Sequence, residues 1–125
     1  RLTDLSARLS LLTYYDGYSH DTLDEMLRDV SVGVVPVLWQ DNLPQVAIEM
    51  HARHIPLLCS TFGGAKELGN CDEMCFPAGD QKAFQDRITN LLSGKFDPDA
   101  YWGDARVPLS MDAHIQQLKA LYSSI

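Results

Sequence analysis

The stretch "VSVGVVPVLWQDNLPQVAIEM", residues 30–50, decides the fold. It begins as a β-branched run without charge, the composition of a central parallel strand covered on both faces. Pro36 marks the carboxyl end of that strand, because proline cannot donate to a β-ladder. From residue 44 to about 54 the period changes to that of a helix, with Val46, Ala47 and Met50 inward. Pro44 falls in the first turn, where its missing N–H does no harm.

Between strand and helix lies the loop "WQDNLP", residues 39–44, which carries Asp41, and Glu49 follows in the second helical turn. Carboxylates in these places could accept hydrogen bonds from a pair of hydroxyls, the way acidic side chains grip ribose or sugar. The plainer alternative is that Asp41 or Asn42 caps the helix and Glu49 is solvated. Composition leaves both open.

Working outward, "RLTDLSARLS" (1–10) reads as the end of a helix, and "LLTYY" (11–15) as a short buried strand closed by Asp16 and Gly17. "HDTLDEMLRD" (20–29) is a short helix with Leu23, Met26 and Leu27 on one face and Thr22 with Glu25 at capping-box spacing. "IPLLCS" (55–60) is another buried strand, "TFGGAKEL" (61–68) a glycine turn opening a short helix, and "CFPA" (75–78) a brief strand. Asp80 is placed to cap a helix carrying Phe84, Ile88, Leu91 and Leu92, which Gly94 ends. Residues 95–109 read as a loop crossing a surface, and Ser110 caps a last helix with Ile115, Leu118, Leu121 and Tyr122 on one side.

This alternation predicts an α/β fold, a Rossmann-like parallel sheet with flanking helices and right-handed crossovers. The whole chain, 1–125, reads as one unit: an α/β core over 1–94, then a loop and C-terminal helix over 95–125. In such sheets ligands bind at the carboxyl ends of the strands. That singles out the loops "DGYSH" (16–20), "WQDNLP" (39–44) and "STFGG" (60–64).

Ten basic against seventeen acidic residues give a formal charge of −7, a field that repels nucleic acid and anionic membranes. The longest apolar stretch, residues 30–39, is too short to span a bilayer. Three cysteines, Cys59, Cys71 and Cys75, lack a second pair at zinc-ligand spacing, which points to reduced structural thiols in a cytoplasmic protein. The histidines at 20, 51, 54 and 114 and the aromatics Trp39, Tyr101 and Trp102 read as structural or packing residues. Gly63 and Gly64 stand where exposed amides could meet a phosphate, or make a plain tight turn; neither GxGxxG nor the Walker pattern is present.

Residues 29–68, "DVSVGVVPVLWQDNLPQVAIEMHARHIPLLCSTFGGAKEL", resemble the C-terminal, nucleotide-sugar donor-binding domain of retaining GT-B glycosyltransferases of family 4, glycosyl transferases group 1. The likeness rests on a strand ending in Pro36, an acid at Asp41, seven intervening residues and Glu49, then Pro56, Gly63, Gly64 and Glu67. Weaker similarity extends it to about residues 11–93. The resemblance implies a ribose-binding role for Glu49, and donor-sugar contacts from Asp41 and from the backbone of Asn42, Leu43 and Pro44. It further implies that Tyr18 and Ser19 lie in the nucleobase loop, and that Gly63 and Gly64 shape the cleft rim. Asp41 is one methylene shorter than the family's usual glutamate. No catalytic residue is assigned within the chain, and no metal or cofactor is called for; the nucleotide diphosphate sugar is the donor substrate.

The family's diphosphate-neutralising Lys and Arg, and its acceptor domain, match nothing in these residues. The resemblance therefore implies an N-terminally truncated fragment, inactive by itself, completed by a missing N-terminal acceptor domain or by another chain. Any membrane association would belong to the missing part. In the family's strand order, 3-2-1-4-5-6, "LLTYY" would be third and "VSVGVVPV" fourth, with two absent strands between them. The alternative function is a non-catalytic α/β ligand-binding or signalling module.

Overall fold

The computed structural model describes residues 10–125, so the helix end read at the N-terminus lies, but for Ser10, outside the described residues. The chain divides into two units at Val30 and Ser31. In the first, "LLTYY" is not a strand: it makes no ladder, and Leu11 is 99% exposed. An apolar extended segment becomes a strand only where another backbone takes up its hydrogen bonds, and no described strand does so here. Helix α1 spans His20–Leu27. Its N-cap is Ser19, not Thr22. Thr22 sits inside the first turn, where its hydroxyl accepts from the Ser19 N–H at 3.1 Å, so its spacing to Glu25 is not a capping box.

The second unit carries the sheet. Strands β1 (Gly33–Val35), β2 (Leu57–Ser60) and β3 (Cys75–Phe76) pair in parallel in the order β1-β2-β3, with Gly33 opposite Leu57 and Cys59 opposite Cys75. Between them run α2 (Gln45–Ala52) and α3 (Lys66–Gly69), and beyond them α4 (Gln81–Leu92), α5 (Pro98–Asp104) and α6 (Met111–Ser123). The parallel α/β arrangement is as expected. β1 stops at Val35 as Pro36 dictates, but it is an edge strand of the described sheet with Val34 exposed. The central, fully buried strand is β2.

Gly33 is fixed by packing: a Cβ there would meet Met50 Sδ at 2.6 Å and Leu57 at 2.9 Å, so α2 could not lie this close to β1. On α2 Ala47 and Met50 are buried as expected, whereas Val46 is exposed and its place inside is taken by Glu49 and His51. The buried arc is thus turned from the one periodicity indicated. α4 begins at Asp80, whose carboxylate accepts from Ala83 N–H at 2.9 Å, and Phe84, Ile88 and Leu91 pack on the core while Leu92 faces out. Ser110 caps α6 through Ala113 N–H at 3.2 Å.

Residues 95–109 are not a surface loop. Asp97 caps α5 by accepting from Asp99 and Ala100 N–H at 3.0 and 3.3 Å, with Pro98 in the first turn, an arrangement whose residue pattern is visible in "FDPDA". α5 delivers Tyr101 into the core beside Leu58, Met74 and Phe76. The Tyr101 ring lies over Gly69, where any Cβ would come within 2.5 Å, and its hydroxyl accepts from the first N–H of β2, Leu57, at 3.1 Å. Burial pushes the phenol up to about 12. Next to it Trp102 stacks on His54 at 4.0 Å and meets His51 at 4.8 Å, while Trp39, expected to pack, is exposed.

Tyr101→Phe leaves the buried Leu57 N–H without a partner and should cost about 1–3 kcal/mol in denaturant unfolding; an unchanged midpoint would show that this bond does not hold β2. Burial, helped by His54, lowers the His51 pKa. The unfolded chain then binds the proton that the folded ring resists, so stability falls as pH drops through about 6.5. Wild type should lose stability relative to His51→Phe below that pH, and parallel profiles would contradict the assignment.

Candidate functional site

Two of the three loops named by the sequence, 39–44 and 60–64, meet at the carboxyl end of the sheet. Residues 37–43, leaving β1, are held at three points by the residues that end β2. The Ser60 hydroxyl, buried at the last position of β2, donates to Val37 O at 2.7 Å. Gly63 N–H donates to Gln40 Oε1 at 3.1 Å, and Gly64 N–H to Asn42 O at 3.3 Å. The β2 side is itself anchored, because Thr61 N–H continues the β3 ladder by donating to Phe76 O at 2.9 Å and Lys66 Nζ donates to Thr61 O at 2.9 Å.

The glycine pair is what permits this approach. Gly63 has φ +77°, and a Cβ on it would sit 3.3 Å from Asp41 O; a Cβ on Gly64 would press on the Leu43 backbone at 3.3 Å. A left-handed turn in van der Waals contact with another loop suits a residue without a side chain. Of the two readings the sequence left open, the glycines make a turn that braces the acidic loop.

Asp41 is exposed on the braced loop, and its Oδ1 accepts from Asn42 N–H at 2.8 Å. Neither it nor Asn42 caps α2. The N-cap is Pro44, whose carbonyl accepts from Ala47 and Ile48 N–H and which offers no side-chain cap. Glu49 is not solvated either: it is 9% exposed and one oxygen accepts from Gln45 Nε2 at 3.2 Å, while Arg53 donates to its backbone carbonyl at 3.0 Å. Both parts of the plain helix-start reading are therefore wrong for this loop. Asp41 stands outside the helix start, and Glu49 is tucked into the fold one helical segment later.

The structure brings Asp41, Asn42, Leu43, Gly63 and Gly64 together, with Pro44 and Glu49 on the helix that continues the loop. Tyr18 and Ser19 belong to the first unit. There Tyr18 is largely exposed, and the Ser19 hydroxyl lies 3.2 Å from that of Thr22, so its polar atoms serve the start of α1. Gln40 and Ser60 were not singled out by the sequence, although both are polar residues at strand ends in loops already marked for attention. Among the described residues no group of three or more His, Cys, Asp or Glu side chains is arranged to hold a metal ion. No described helix is long and apolar enough to cross a membrane.

The family described as Glycosyl transferases group 1 matches residues 2–94, which include both strand-end loops, α2, the glycine turn and α4. No curated protein and no solved structure matches the chain. With most of its length matched to one family, over the segment that carries the strand-end loops, the chain belongs to the glycosyl transferases group 1.

Proposed function

We propose that this chain is the donor side of a retaining glycosyltransferase of the GT-B, family 4 type, which moves a sugar from a nucleotide diphosphate sugar to an acceptor bound elsewhere. The observation that carries this reading is the placement of the two acids. Asp41 is exposed on a strand-end loop and is not used as a helix cap, while Glu49 is a buried carboxylate on the helix that follows. Parallel α/β sheets bind ligands at this end.

In this reading Glu49 accepts hydrogen bonds from the ribose hydroxyls. A carboxylate offers about four acceptor sites, of which the bond from Gln45 takes one. Asp41 contacts the donor sugar, its carboxylate oriented by the Asn42 N–H, with the backbone of Asn42, Leu43 and Pro44 alongside. Because the Asn42 N–H and carbonyl already have partners, Leu43 is the position in this trio best suited to a backbone contact. The resemblance assigns Tyr18 and Ser19 to the nucleobase loop. Gly63 and Gly64 form the rim and set the height of the acidic loop.

Transfer on this account needs the charge developing on the leaving diphosphate to be stabilised, and not a covalent triad. The family resemblance assigns the neutralising Lys and Arg, and the acceptor domain, to no residue of this sequence, and in this reading the donor side by itself binds donor without turning it over. Cys59, Cys71 and Cys75 are free thiols, in keeping with a reducing, cytoplasmic setting.

Calorimetric titration of nucleotide diphosphate sugars into the full-length protein tests the site. Glu49→Ala should weaken binding about tenfold or more, the loss expected for hydrogen bonds to a charged acceptor. Undiminished affinity in a folded variant removes the ribose role, and no binding by wild type favours the non-catalytic module. Asp41→Ala should weaken sugar-bearing donors and leave the free nucleoside diphosphate unchanged; equal loss for both would move Asp41 off the sugar. Gly64→Ala, which touches no ligand in this account, should lower donor affinity by shifting Leu43, and wild-type affinity there would show that the brace does not position the loop.

A further inference from the structure

Along the second half of α2, Ile48 and His51 join His54, Trp102, Ala105 and Val107 in lining a cavity of about 360 Å³. That falls near the lower end of the roughly 300–1,000 Å³ typical of small-molecule sites. Its walls are mainly apolar and aromatic. His51 is their buried polar member, 5% exposed, and its Nε2 is shut off from water and has no hydrogen-bond partner. A buried polar nitrogen without a partner costs free energy that a ligand group would recover.

The ligand's chemistry follows from this nitrogen. Burial and the neighbouring His54 disfavour the imidazolium, so the ring is neutral near pH 7. A neutral imidazole nitrogen is either a donor or an acceptor, and a hydroxyl answers both. A charged ligand would lose its hydration among apolar walls with no opposite charge on His51 to compensate it. We propose that this cavity binds a neutral aromatic alcohol, with its ring against Ile48, Ala105 and Trp102 and its hydroxyl on His51 Nε2. For the hydroxyl to reach Nε2 the proposal requires Trp102 to shift: its indole lies 4.8 Å from the His51 ring, stacks on His54 at 4.0 Å and is only partly buried, on the seven-residue α5 helix. In this proposal that shift is what opens Nε2 to the cavity. Val107, 87% exposed, stands at the rim.

The site uses no residue assigned to the donor, and its test involves no nucleotide. Phenol and toluene are titrated separately into full-length protein labelled with nitrogen-15 histidine, followed by NMR. Saturable phenol binding that shifts His51 Nε2, with toluene about tenfold weaker, is expected for one hydrogen bond to a buried group. In His51→Phe the preference for phenol should vanish. Should that variant not fold, Val107→Trp, a change at an exposed rim position, carries the test by blocking both probes. Equal affinity of wild type for phenol and toluene, no saturable phenol binding, or phenol binding unaffected by Val107→Trp would each overturn the proposal.

Discussion

Three hydrogen bonds from the end of β2 to the loop leaving β1 govern the rest of the site: Ser60 to Val37, Gly63 to Gln40, and Gly64 to Asn42. They transfer the rigidity of the buried central strand to a loop that has no regular structure of its own. The loop lies at a sheet edge and would otherwise have only its own turns to shape it. Because the helix cap is Pro44 and not Asp41, the acid can be oriented by this brace without also serving the helix. A site built this way depends on packing behind it as much as on the groups facing a ligand.

The same strand is fixed at its other end. Tyr101, brought in from α5, takes the first N–H of β2 and lies on Gly69, so residues distant in sequence hold both the start and the surroundings of the strand that carries Ser60. Tyr101 occupies the core where an aliphatic side chain could fill the volume but could not accept the Leu57 bond. The aromatic group continues through Trp102 to His51 on α2 and to His54 just beyond its end. Helix α2 thus runs from the loop that carries Asp41 to an aromatic end, where His51 is buried.

Much of this was legible because local chemistry and tertiary demand agree. Pro36 ended β1, the uncharged run around Leu57 was a buried strand, and Asp80, Ser110 and Gly94 marked helix ends by their own hydrogen bonds or backbone freedom. Failures came where a partner decides. "LLTYY" has strand composition but no described strand to pair with, and β1 is an edge of the described sheet despite a composition suited to a covered strand. The turned face of α2, with Glu49 and His51 inside and Val46 outside, followed from Gly33 and Met50 in close contact, which spacing along one helix does not encode. Residues 95–109 read as a loop in sequence because two prolines and a glycine outweigh the Asp97–Pro98 helix start. At the site, Asp41, Glu49 and the glycine pair stood out in sequence, while Gln40 and Ser60, whose bonds hold the loop, became visible only in three dimensions.

The central claim is that Glu49 grips ribose, and a ligand-and-side-chain cycle measures it directly. The nucleoside diphosphate that the full-length protein binds is compared with its 2′,3′-dideoxy analogue, in wild type and in Glu49→Ala. The account requires wild type to favour the diol by about tenfold or more and the variant to treat both alike, since the hydroxyls and the carboxylate act on each other. Equal discrimination by both proteins would place the ribose away from Glu49 and contradict it.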